Sequence, residues 1–514
     1  MNRRNMIIGS AAILVGGGSV YAYRRLVPAT HNIGKVPGMK GMDATPSVED
    51  PGMQGDVALR IKALPEGEPL GPLSRLANTS TINGRFEAAI SAQPATVEFV
   101  PGKKTEILGY NSLTPGPVIE VTEGDSVKIS FTNRIPARES TIHWHGLPVP
   151  ASQDGNPMNP VASGETRIYE FTLPADSAGS FWYHPHPREN TAQQVYEGLA
   201  APFIVKPKND PLPAELADTT LFITTLSLLE SGVIAPNTMM DWMNGREGDH
   251  ILINGRKMPV LSVAPGSSRR FRLYNATNGR YMRLAFEDHG MTLIGTDGGL
   301  LQRPVPGVAH ILLAPAERVE VVVDFRESTG RIVLQDLAYE RGWMGPGRPT
   351  ATTRALMTIE IAGVPQKPIP LPGTLRSIEA LGTPVATKRL VFGEKMSMTA
   401  GGMAMSFLIN DQTFDTKRVN LTSRVSEVEL WEIVNPTDMD HPLHIHGTQF
   451  QVLDRESLGL KTPEPILSWK DTVNVVRGET VRLKVRHEMP GLRMYHCHIL
   501  EHEQLGMMGV LKVT

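Results

Sequence analysis

The stretch Met494–Met508 reads "MYHCHILEHEQLGMM" and holds the only cysteine of a 514-residue chain, placed between two histidines. A thiolate, imidazoles and a thioether within a dozen residues make a soft to intermediate ligand set, suited to a transition metal. Ten of the 15 histidines fall in four short clusters: His143/His145, His184/His186, His441/His444/His446 and His496/His498/His502. One His-x-His pair is a weak signal, but here two pairs of pairs repeat. "HWHG" at His143 is followed about 40 residues later by "HPH" at His184, and "HIHG" at His444 about 50 residues later by "HCH" at His496. Placement by chance does not produce that pattern.

On an extended strand, residues i and i+2 face one side and i+1 the other. His496 and His498 then point to one side and Cys497 to the opposite side, so one strand serves two metal sites. With a rise of ~3.3 Å per residue plus side-chain reach, the sites should lie on the order of 10 Å apart. The Cys497 side, with His502 and Met507 following at loop spacing and His441 from the neighbouring cluster, suits an electron-transfer copper site. Zinc is the alternative, but its structural sites favour more thiolates and it is redox-silent. The other side offers His143, His145, His184, His186, His444, His446, His496 and His498. Eight imidazoles are too many for one metal and divide as two, three and three.

Alternating strands must carry these groups. "SVKISFTN", "TRIYEFTL", "RVEVVVDF" and "ETVRLKVR" show period-two patterning, long helical patterns are scarce, and 48 Gly with 41 Pro supply turns. The expected class is all-β. A weak repeat ("EGDSVKISFTN", "PGSSRRFRLYN" and "RVSEVELWEIVN", ending at Asn133, Asn275 and Asn435) is spaced as three sandwich domains would be. The first and third hold the histidine pairs, which leaves the middle one as a spacer. The start, "MNRRNMIIGSAAILVGGGSVYAYRRL", has Arg3 and Arg4 before an apolar run, as in a twin-arginine export signal, with an uncleaved membrane anchor as the alternative. The expected order is signal or anchor 1–27, Met/Gly/Pro-rich linker 28–75, and β-sandwich domains 76–210, 211–370 and 371–514. A lone thiol in an exported, periplasmic protein is a liability unless a metal occupies it. The formal net charge of −2 gives no reason to expect nucleic acid.

"HWHG", "WYHPH", "HPLHIHGTQF" and "HCHILEHEQLGMM" together resemble the four copper motifs of the multicopper oxidases, and the likeness extends over nearly the whole chain after the linker. The resemblance implies three cupredoxin-like Greek-key domains and four copper ions. His441, Cys497, His502 and Met507 match the type 1 ligands, and His143 and His444 the type 2 pair. One type 3 copper would take His145, His184 and His498, the other His186, His446 and His496. Asp154 and Glu503 match the family's proton-handling acids. The implied reaction is oxidation of a reductant coupled to four-electron reduction of O2 to water. Within the family the chain looks most like periplasmic cuprous oxidases and bacterial laccases. Met39, Met42 and Met53 in the linker, Met396, Met398, Met403 and Met405, and a Cu(I) position at Asp438, Met439 and Asp440 favour Cu(I) oxidation in copper homeostasis. Oxidation of phenols or other small aromatic reductants is the alternative. A copper-free cupredoxin scaffold or a copper-storage protein is the non-enzymatic one.

Overall fold

The computed structural model describes residues 59–325, 330–399 and 402–514. The signal or anchor and the linker methionines lie outside the described residues. The end of the linker is more constrained than its composition suggests. Arg60, Glu66 and Pro69 bridge to Leu229, Lys257 and Val260, and Arg75 bridges to Val118. No helix among the described residues is long and apolar enough to cross a membrane.

Six sheets form three two-layered sandwiches in chain order, of four and four, six and five, and six and five strands. The all-β, cupredoxin-like expectation therefore holds. Each sandwich encloses its own apolar cluster. The first is built around Trp144, Phe131 and Tyr169, the middle one around Phe271, Phe286 and Phe325, and the last around Trp431, Phe450 and Tyr495. Each such side chain stabilises its sandwich by roughly 1.5–3 kcal/mol on burial.

Strands Ser126–Asn133 and Val428–Asn435 alternate partly exposed and buried positions along their whole length. Their counterpart in the middle sandwich, Ser268–Asn275, is buried on nearly every residue. Its outer face is covered, and Arg270 and Arg272 there both pair with Glu320.

The asparagine ending each repeat has one shared task. The Asn435 amide donates to Met439 O (2.8 Å) and Val475 O (2.9 Å), and its Oδ1 accepts from Thr437. Asn133 donates to the carbonyls of Arg138 and Val161, and Asn275 to those of Arg280 and Leu313. All three are buried and tie a strand end to the loop that follows. In the last sandwich that loop delivers His441.

The paired histidine motifs are paired strands. His143–His145 runs antiparallel to Gly179–His184 with His143 opposite His184. His441–Ile445 runs antiparallel to Gly491–Cys497 with His444 opposite His496. The sequence echo is one β-ladder built twice.

Replacing Asn435 with Ala takes one donor from each of two buried carbonyls, of which Met439 O keeps the Thr437 hydroxyl at 3.1 Å, and a lost buried partner costs about 1–3 kcal/mol. Asn435→Ala is expected to lower the unfolding free energy by roughly 2–3 kcal/mol in urea titrations and to weaken copper at the Cys497 site. Asn275→Ala should lower stability alike while leaving that site intact.

Candidate metal centre

Cys497 ends its strand facing the apolar interior of the last sandwich, fully buried. Its Sγ lies 3.5 Å from His441 Nδ1, which is 3.3 Å from His502 Nδ1. The outer nitrogens of both rings are engaged: His441 Nε2 with Thr437 Oγ1 (2.9 Å), and His502 Nε2 with the Met243 carbonyl (3.0 Å). Phe407 stacks on His502 at 3.7 Å between ring centroids. Met507 is buried in the same cluster; its N–H donates to His502 O (2.9 Å) and its carbonyl accepts from Cys497 N (3.0 Å). The short helix Leu500–Gln504 returns His502 to the cysteine. Burial pushes the Cys497 thiol far up, so a thiolate belongs there only beside a bound cation.

His498 lies just past the strand end, yet the expected alternation persists. The rings of His496 and His498 are 5.5 Å apart, on the side away from Cys497. All eight histidines of this second group have no solvent exposure. Outward hydrogen bonds orient most of them. Nδ1 of His143, His184, His444 and His496 donates to the carbonyls of Asp154, Pro185, Asp471 and Cys497 at 2.8–2.9 Å. His446 Nδ1 donates to Asp154 Oδ2 (2.8 Å). His145 is reversed: its Nε2 faces Asp471 Oδ1 (3.2 Å) and its Nδ1 turns inward.

The inner nitrogens converge. His446 Nε2 and His186 Nε2 lie 3.0 and 3.3 Å from His496 Nε2, and His184 Nε2 lies 3.4 Å from His145 Nδ1. The inner Nε2 atoms of His143 and His444, and both ring nitrogens of His498, are buried without a protein partner. Neutral rings whose outer nitrogens carry the protons aim lone pairs at common points, the arrangement a metal cation stabilises. Ligand atoms of His186, His446 and His496, of His143, His145 and His184, and of His441, Cys497 and His502 each lie within 4.8 Å of one another. The donors present fit copper, with thiolate and thioether confined to one site and imidazole alone at the other.

Both acids named from the sequence are buried beside the histidines. Asp154 contacts His446 and, at 3.4 Å, His143. Glu503 stands 3.5 Å from His186 and 3.2 Å from His496, and burial raises its carboxyl well above the usual range. The triplet ahead of His441 divides: Asp438 is exposed, whereas Met439 and Asp440 are buried. The Asp440 carboxylate accepts from Tyr339 and from the Arg477 backbone. Met396 is half-exposed and stands opposite Met405, which packs against the Cys497 core. Met398 and Met403 are also cross-strand partners in this hairpin.

Three contributors carried no sequence signal. Asp471, in "WKDT", resembles any strand-start acid. Arg493 presses against Gly447, the glycine of "HIHG", at φ +60°, where an added Cβ would overlap its guanidinium. The middle sandwich is no spacer either, since it supplies the Met243 carbonyl to His502 and Arg318 to Asp471.

Three family models, each described as multicopper oxidase, match residues 91–210, 227–336 and 393–514. Multicopper oxidase mco of Staphylococcus haemolyticus is 32% identical over 440 residues, covering 84% of this chain and 89% of that protein. The laccase of Bacillus subtilis is 30% identical over 80% of this chain and 90% of its own. A solved multicopper oxidase of Campylobacter jejuni, described as a metallo-oxidase, superposes with a TM-score of 0.82 at 39% identity, covering 88% of this chain and 96% of that one.

Burial, then the neighbouring imidazoles, hold His145, His186, His444, His446 and His498 well below the ordinary histidine range; burial sets His441 and His496 at about 3. In copper-free protein these rings stay neutral when folded but charge when unfolded. Stability is therefore complete above an unfolded value near 6.5 and falls with pH below it, by about 1.4 kcal/mol per unit per ring. Urea titrations of the metal-free chain should lose more than about 3 kcal/mol between about pH 7 and pH 5.5. Copper loading should reduce that loss.

Proposed function

The chain belongs to the multicopper oxidase family and is a copper oxidoreductase with O2 as acceptor, and from that premise we propose that it oxidises Cu(I) outside the cytoplasm. In this reading His441, Cys497, His502 and Met507 hold a type 1 copper and His143 and His444 the type 2 ion. His145, His184 and His498 hold one type 3 ion, and His186, His446 and His496 the other. Copper in these places supplies one-electron oxidation of the reductant and the four electrons that O2 needs. One observation carries the coupling: Cys497 reaches one set of ligands while its covalent neighbours His496 and His498 belong to the other.

The chain's own groups do the rest. The Cys497 backbone is a short covalent path between the two sites. Complete burial of the eight histidines keeps bulk water from the oxygen-reducing side, and their outward hydrogen bonds leave the inner nitrogens as ligands. Asp154, against His446 and His143, and Glu503, between His186 and His496, are placed to hold protons at their carboxylate oxygens next to where O2 reacts.

Cu(I) is favoured as reductant by soft thioethers around the Cys497 side, with Met439 two residues before His441 and Met405 packed on the same core. The likeness to a protein described as a metallo-oxidase points the same way. Similarity to laccases keeps phenols as a second reading. Twin-arginine export to the periplasm and a role in copper homeostasis complete the proposal. Oxygen uptake with Cu(I) held by a weak chelator, compared with a simple phenol, tests it. A higher kcat/KM for Cu(I) is expected; preference for the phenol makes the chain a laccase, and no uptake with either supports a scaffold or storage protein.

Cys497→Ser should abolish the blue absorption and the turnover while the chain still folds. His498→Ala should stay blue and be reduced by substrate, yet fail to return electrons to O2. Loss of the blue band in His498→Ala with normal oxygen chemistry would reverse the assignment of the two faces.

Glu503→Gln keeps shape but removes the titratable proton. Copper content, colour and reduction by substrate should stay near wild type, while stopped-flow reoxidation by O2 slows about ten-fold or more. Wild-type reoxidation in both Glu503→Gln and Asp154→Asn would remove the two acids from the proton route.

A further inference from the structure

We infer that Arg318, on the middle sandwich, is the positioning residue that fixes how His145 and His444 present their nitrogens to the trinuclear copper site. This rests on the four-copper reading above. Arg318 is 1% exposed, and all five of its N–H groups are used. Nε donates to Ser180 O (2.8 Å), on the strand that ends at His184. Nη1 donates to Ala316 O (3.0 Å) and Asp471 Oδ1 (2.7 Å), and Nη2 to Asp297 O (3.1 Å) and Asp471 Oδ2 (2.6 Å). One guanidinium thus touches all three sandwiches. Its two-pronged grip leaves the Asp471 carboxylate a single orientation.

Asp471 passes that orientation on. Its Oδ1 takes His145 Nε2 at 3.2 Å, and Thr472 Oγ1 supports both groups, at 3.1 Å from Nε2 and 2.9 Å from Oδ1. The Asp471 backbone carbonyl takes His444 Nδ1 at 2.8 Å. Bound outward through Nε2, His145 must offer Nδ1 to the site, whereas His143, His184, His444, His446 and His496 offer Nε2. A ring so reversed needs its outer acceptor held still. The space for this comes from Gly146, directly after His145. At φ +85° its added Cβ would stand 2.2 Å from Asp471 Oδ2 and 2.8 Å from Arg318 Nη2. The glycine of "HWHG" therefore admits the ion pair beside the ligand strand. Removing one partner of a buried ion pair leaves the other charge uncompensated and lowers stability, so each variant's metal-site readouts are taken on folded, copper-loaded protein beside its thermal midpoint.

The test uses copper-loaded full-length protein and three variants: Arg318→Lys, which keeps the charge but loses the fork, Arg318→Met, and Asp471→Asn. The readouts are copper per chain, the blue band, the paramagnetic resonance of the non-blue copper, thermal midpoint and oxygen uptake. Arg318→Met and Asp471→Asn are expected to keep the blue band and its reduction by substrate. Both should change the non-blue copper signal in the same sense and lose about 10- to 100-fold in turnover. Arg318→Lys should lie between them and wild type, and a fourth variant combining Arg318→Met with Asp471→Asn should be no worse than either single one. A wild-type non-blue signal in every variant would overturn the inference and leave the four-copper reading standing. Joint loss of both copper signals with a collapsed thermal midpoint, in Arg318→Lys as well, would make Arg318 a folding strut and overturn it too. Wild-type protein that shows only blue copper would defeat the four-copper reading itself.

Discussion

Neighbouring residues on an extended chain face opposite ways, and at His496–Cys497–His498 this rule sets the layout of both metal-ligand groups. Cys497 must enter the apolar interior of the last sandwich, where burial disfavours its thiolate. Its neighbours must then leave that interior and meet the first sandwich, whose strands His143–His145 and Gly179–His184 present three more rings, with His186 just past the second strand's end. The same alternation sends Trp144 into the first core between His143 and His145. The pairs His143/His145 and His444/His446 are thus anchored by the apolar residues they enclose, Trp144 and Ile445.

The second constraint is dielectric. Burial disfavours the charged form of His145, His184, His444, His446 and His496, and an outward hydrogen bond then fixes the tautomer of each. The surrounding carbonyls and carboxylates choose the tautomer by accepting the outward proton. The two glycines that close "HWHG" and "HIHG" share a cause in this shell, since each lets an arginine lie against the backbone beside the ligands, Arg318 at Gly146 and Arg493 at Gly447. Arginine suits such places because its charge is permanent and its fork is rigid.

The middle sandwich holds none of the clustered histidines, yet it is bound into the site. The Met243 carbonyl fixes the His502 ring, and Arg318 ties Asp471 to Ser180. Its strand Ser268–Asn275 loses the usual alternation because the outer face carries Arg270 and Arg272 against Glu320, and Ser180 of the first sandwich donates to the same carboxylate. The three units share buried charge as well as apolar surface.

Much of this was legible in the chain alone. Spacing grouped the histidines, period-two patterning implied strands, and alternation separated Cys497 from its neighbours, because each of these depends only on local backbone geometry. The Asn133, Asn275 and Asn435 repeat was visible too, although its cause, a side-chain amide tying down the next loop, needed the fold. Asp471, Arg318 and Arg493 could not be read from sequence. They lie far along the chain from the rings they serve and have no distinctive spacing. Their roles arise only when three sandwiches close around one dry volume, where Arg318 finds an acceptor for each of its N–H groups. The ligand types were written in the sequence; which nitrogen His145 and His446 turn inward was decided by the tertiary structure, because the partners of their other nitrogens, Asp471 and Asp154, come from another sandwich.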